Sequence, residues 1–130
     1  MELEKLGRLL LKEDEVTSSE WAVLVSKTLH AISRSENVQE LTSFFRMGPF
    51  DFPPEVTVST LERILELGDM SEDTLWAYAT QLDLYFVKQG LYQWLFAELK
   101  RLEASGGTDE EYRRLGEEVL RRLRDTDVDG

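Results

Sequence analysis

Leu3, Leu6 and Leu10 recur at three- and four-residue intervals, so residues 2–13 are expected to form a short amphipathic helix. The acidic run Glu13-Asp14-Glu15 should end it, because negative charge is unfavourable at the negative pole of a helix. Thr17-Ser18-Ser19-Glu20 then has the spacing of a capping box: the Thr17 hydroxyl can accept from the amide three residues on, and Glu20 can reach back. Trp21, Val25, Leu29 and Ile32 follow in helical phase, which carries a second helix to about Ser33. Asn37-Val38-Gln39-Glu40 repeats the box and opens a third helix bearing Val38, Leu41, Phe44 and Phe45.

All three prolines fall at positions 49, 53 and 54. Proline lacks an amide proton and restricts the residue before it, so residues 47–57 are expected to be an irregular loop. The β-branched Val56-Thr57-Val58 suggests a brief extended piece at its end. Ser59-Thr60-Leu61-Glu62 reads as a third capping box, with Leu61 and Leu65 in phase behind it and Gly68 as a stop. Ser71 caps the next segment, with Glu72 and Asp73 favourably placed in its first turn.

Leu75, Tyr78, Leu82, Tyr85, Gln89, Tyr92, Phe96 and Leu99 then hold a 3-4-3-4 spacing. No capping residue stands just after Gly90, so residues 72–104 are expected to be one long helix, kinked at Gly90 if anywhere. Such a helix is about 50 Å long, against about 36 Å for the diameter of a compact domain of this size. Ser105-Gly106-Gly107 is a turn, and Thr108-Asp109-Glu110-Glu111 a fourth capping box. It opens a last helix over roughly 109–124, and residues 125–130 should be a loose acidic tail. The expected fold is all-α: a single domain over residues 1–124, an irregular or orthogonal bundle of about six helices around the 72–104 helix. An N-terminal helical group (2–46) and a C-terminal group (58–124) flank the proline-rich loop.

Composition narrows the chemistry. The 130 residues contain no Cys and one His, His30, which excludes disulfides, thiolate sites and paired-histidine metal sites. His30 lies in no metalloprotease or di-iron spacing, and no Gly-rich phosphate loop is present, so no metal, cofactor or catalytic residue is expected. Asp125-Thr126-Asp127-Val128-Asp129-Gly130 matches only the first half of an EF-hand loop. The formal net charge of −11 argues against direct nucleic-acid binding. No apolar run is long enough for a membrane span or a signal-peptide core, so the expected location is cytoplasmic.

The charge is unevenly placed. Residues 47–99 carry only Arg63 and Lys88 against nine acids, and seven of the thirteen aromatic residues lie between Trp76 and Phe96. On the last helix, acids precede Arg113, Arg114, Arg121 and Arg122 by four residues, which describes a self-neutralised face rather than a phosphate site. The acidic aromatic middle points to a non-enzymatic protein–protein interaction module such as an adaptor, assembly factor, inhibitor or immunity-type protein. Phe50, Phe52, Trp76, Tyr85, Tyr92 and Trp94 are its candidate anchors, and the partner would be a protein with a basic surface. The 75–99 seam would also serve to pair two copies of the chain, with Gln89 fixing register. The alternative is a small-ligand pocket near Phe50, Phe52, Trp76 and Tyr85. An acid–base enzyme would need Glu62, Glu66, Asp69 or Asp83 to converge in one cleft.

Overall fold

The computed structural model describes the backbone of residues 2–129 and the side chains of residues 2–125. Among these residues the chain is all-α: α1 (Glu2–Leu10), α2 (Ser18–Arg34), α3 (Val38–Met47), α4 (Pro54–Glu66), α5 (Glu72–Leu84), α6 (Gln89–Ser105) and α7 (Asp109–Asp129), with a 3-10 turn at Glu13–Glu15. Contacts divide it into two compact units, Met1–Leu67 and Gly68–Gly130. The division falls at Gly68 and not at the proline segment, which lies wholly inside the first unit.

In the first unit α1 packs on α2 and α3, and α4 packs on the same two helices. Leu3, Leu10, Ile32, Leu41, Phe44, Val56, Ile64 and Leu65 fill its centre. The capping box at Thr17 and Glu20 forms in both directions, and the Asn37 side chain accepts from the Glu40 amide at 3.1 Å. α1 comes close to α3 at Gly7, where an added Cβ would lie 2.9 Å from the Met47 Cε.

The stretch expected to be a loop over 47–57 is shorter than that, because helix α4 begins at Pro54. A proline in the first turn loses no hydrogen bond, and its φ already suits a helix. Val56-Thr57-Val58 is therefore helical and buried, not extended, and Ser59 lies inside the helix and caps nothing. Threonines adapt to this interior by bonding back to the preceding turn. Thr60 Oγ1 donates to the Val56 carbonyl at 2.7 Å and Thr28 Oγ1 to that of Leu24 at 2.7 Å. The Arg63 guanidinium donates to the Ser35 carbonyl at 2.9 Å, which ties α4 to the end of α2.

In the second unit α5, α6 and α7 pack pairwise. Leu75, Tyr78, Leu82, Leu95, Leu99, Leu102 and Val119 are its most enclosed large apolar side chains. The long 72–104 helix does not form: α5 ends at Leu84 and α6 starts at Gln89. The break lies at residues 85–88, ahead of Gly90, which sits in the first turn of α6. The buried stripe also changes phase. It runs through 75, 78, 79 and 82 on α5, then through 95, 99 and 102 on α6, so Tyr92 and Phe96 leave the core. The 75–99 seam is thus not one face of one helix, which removes the basis for pairing two copies along it. α7 continues to Asp129, past the expected end near residue 124, and the side chains of the half EF-hand motif beyond Asp125 lie outside the described residues.

α7 passes Met70 closely at Gly116, where a Cβ would sit 2.6 Å from Met70 Cγ and 2.7 Å from its Cβ. Atoms so near the Met70 backbone cannot swing away. Gly116→Ala should therefore destabilise the second unit by about 1–3 kcal/mol despite alanine's better helix propensity. Beyond its chain neighbours and its own helix backbone, nothing lies within 4 Å of that position at Gly90, so Gly90→Ala should stabilise by about 0.5–1 kcal/mol. Chemical denaturation of both variants measures the contrast.

Candidate functional site: the α5–α6 turn

The turn between α5 and α6 is a Schellman motif. The Val87 amide donates to the Leu82 carbonyl at 3.1 Å and the Phe86 amide to that of Asp83 at 3.3 Å. Phe86 holds the left-handed position with φ +55°. α6 ends in the same motif, where Gly107 donates to Leu102 at 2.8 Å and Gly106 to Glu103 at 3.4 Å. There the left-handed residue is Gly106, with φ +70°. A left-handed conformation costs a non-glycine residue roughly 1–2 kcal/mol, so the α5–α6 turn carries a strain that its counterpart avoids. Lys88 follows with φ +47° as the N-cap of α6 and makes no side-chain cap. The Gln89 side-chain amide instead donates back to the Leu82 carbonyl at 3.0 Å, giving that oxygen a second donor.

This geometry exposes Phe86. Its ring is 80% exposed, the most of any large apolar side chain described, and the neighbouring Leu84 is 47% exposed. Asp83 is exposed beside them. Along the α5 and α6 faces the half-buried Trp76 meets Phe96 edge-on at 6.0 Å, and Phe96 tilts against Tyr92 at 5.6 Å. The Lys100 ammonium lies 5.8 Å from the Phe96 ring centre. Edge-on and tilted pairs of this kind suit the ring quadrupole, so the aromatic face is ordered without being part of the core.

The six candidate anchors separate. Trp76 and Tyr92 belong to this aromatic face, and Tyr85 lies half-buried within the turn. Trp94 points to the α7 side of α6, where the Arg122 guanidinium lies 4.0 Å over its ring, so it is engaged within the unit. Phe52 is a core residue of the first unit, 3% exposed and stacked on Phe44 at 4.8 Å. It is therefore withdrawn from any partner. Phe50 belongs to the same unit and is 68% exposed. Phe86, the most exposed aromatic residue, was missed among the candidates because it stands one position after a seam residue in what read as a continuous helix.

The acids take local structural duties. Glu66 pairs with Arg63 at 3.2 Å, and an Asp69 oxygen accepts from the Ser71 amide at 3.3 Å. On α7 the expected acid-first pairs form at Glu110–Arg114 (3.5 Å) and Glu118–Arg122 (3.1 Å). Arg113 turns forward to Glu117 at 3.5 Å, and Arg121 is shared between Glu118 and Asp125. Arg121, with Arg122 beside it, holds the Glu118 carboxyl below the usual carboxylate range. No group of three or more potential metal ligands occurs among the described residues. Nor is any described helix long and apolar enough to cross a membrane. Comparison with known proteins finds no matching family model, no matching curated protein and no matching solved structure.

Phe86→Gly removes the left-handed strain and should raise the unfolding free energy of the second unit by about 1 kcal/mol, measured by chemical denaturation. Burial, and then the Glu72 carboxylate beside it, push the Tyr112 phenol above its ordinary pKa of 10.0. The folded state thus favours the neutral phenol. Its contribution is fully present below the unfolded pKa and is lost as pH rises from there towards the folded value. Tyr112→Phe should flatten the alkaline loss of stability, and superimposable pH–stability curves would contradict this.

Proposed function

We propose that this protein is a non-enzymatic protein–protein interaction module, and that the α5–α6 turn with its aromatic face is the docking region. The observation that carries this is Phe86. Folding alone gives no reason to place a phenylalanine there, because glycine satisfies the same motif at Gly106 without strain. The ring gains no burial in return, since it is 80% exposed. Insertion into a partner's apolar pocket would recover about 1.5–3 kcal/mol from a large apolar side chain of this kind. Interface hot spots cluster where a large side chain fills a fully desolvated pocket. Leu84 extends the apolar tip, and Trp76 and Tyr92 supply rigid contact area with little further loss of side-chain freedom.

The net charge of −11 favours a partner with basic groups around that pocket. Charges of this kind at the rim act mainly on encounter rate, while the aromatic anchor sets the lifetime of the complex.

A photo-crosslinking phenylalanine analogue at position 86, in the cell of origin, should give one dominant protein adduct. The same analogue at Arg113, on the self-neutralised face of α7, should not. Added Phe86→Gly protein should fail to compete for the adduct, although it is the more stable fold, whereas added wild type should compete. Equal labelling from both positions, or competition by Phe86→Gly, would contradict the docking role.

A further inference from the structure

In the first unit, a groove of about 480 Å³ runs between α1 and α2, lined chiefly by Leu6, Leu9, Val16, Glu20, Val23 and Lys27. Two of its apolar residues are open, with Leu9 46% and Val23 55% exposed, while Leu6 belongs to the buried core beneath them. Its two charges stand at opposite ends. Glu20 and Lys27 are both exposed and lie seven residues apart on α2, or about 10.5 Å along the axis. Val23 stands midway between them, on the same 3-4 spacing.

We propose that this groove is the interface between two copies of the chain. The pattern is complementary to itself. A two-fold axis across α2 at the level of Val23 sets Glu20 of each copy against Lys27 of the other, and the Val23 side chains meet between the two pairs. This is what an isologous contact requires: residue i meets j, and j meets i. Both charged groups are available. Lys27 has no ion-pair partner among the described residues. Glu20 uses one oxygen to accept from the Thr17 amide at 3.2 Å, which fixes its side chain at the groove end. Leu9 of α1 extends the apolar strip beyond α2. This face involves none of the α5–α6 residues, so it stands or falls independently of the docking turn.

Charge reversal tests it by sedimentation velocity over a concentration series. Wild type should shift from monomer towards dimer as concentration rises. Lys27→Glu gives a groove acidic at both ends, and Glu20→Lys one basic at both ends. Each variant alone should associate at least tenfold more weakly than wild type. An equimolar mixture should form a heterodimer, because every two-fold pair is then acid against base. Circular dichroism confirms that both variants are folded. If loss of the Thr17–Glu20 box unfolds Glu20→Lys, Val23→Asp probes the same face and should likewise be monomeric. A wild type that stays monomeric throughout, variants that dimerise as wild type does, or folded variants whose mixture fails to associate would each overturn the proposal.

Discussion

The Leu82 carbonyl accepts two hydrogen bonds, one from the Val87 amide at 3.1 Å and one from the Gln89 side chain at 3.0 Å. In a continuing helix that oxygen would accept from Phe86, four residues on. Here Phe86 bonds to Asp83 instead, and the chain reverses. The course of residues 68–130 depends on this exchange. It turns what would be a helix of about 50 Å into the antiparallel pair α5 and α6, and it leaves α7 a face of each to pack against.

The aromatic surface follows from the same reversal. Because the buried stripe restarts at Leu95, the residues that a straight helix would have carried inward come to lie outside it. Trp76 and Phe96, twenty positions apart in sequence, meet edge-on at 6.0 Å. Phe86 is left at the apex in a conformation that glycine adopts more readily. A strained, exposed aromatic residue is a feature that stability alone would remove, and this makes the turn the most informative surface of the second unit.

Much of the helical plan was legible because local chemistry decides it. Thr17, Asn37, Ser71 and Thr108 each cap a helix where the sequence placed one, through bonds between side chain and backbone that depend on neighbouring residues only. Three failures have separate causes. Ser59-Thr60-Leu61-Glu62 has capping spacing, but Pro54 had already started the helix. Val56-Thr57-Val58 has strand propensity, but burial against the neighbouring helices holds it helical, with the Thr57 hydroxyl satisfied by the Pro54 carbonyl. The α5–α6 turn lacks both of its usual markers, a glycine at the left-handed position and a side-chain cap on the helix that follows. A heptad-like spacing also survives a hairpin in sequence even when the buried stripe changes phase in space. Of the candidate anchors, Trp76, Tyr85 and Tyr92 fall on the aromatic face or in the turn. Phe52 and Trp94 were indistinguishable from them by residue type alone, and only their packing separates them.

The absence of cysteine makes the central claim directly measurable, since two introduced thiols would be the only ones in the chain. Spin labels at Asp73 and Lys100, both exposed, report the geometry of the α5–α6 pair. Antiparallel helices reversing at Phe86 place the labels well under half of the distance that a continuous helix requires, which is about 40 Å. A single distribution at short distance, unchanged in Gly90→Ala, is the predicted result. A distribution centred near the straight-helix value would contradict the reversal, and with it the exposed turn on which the proposed function rests.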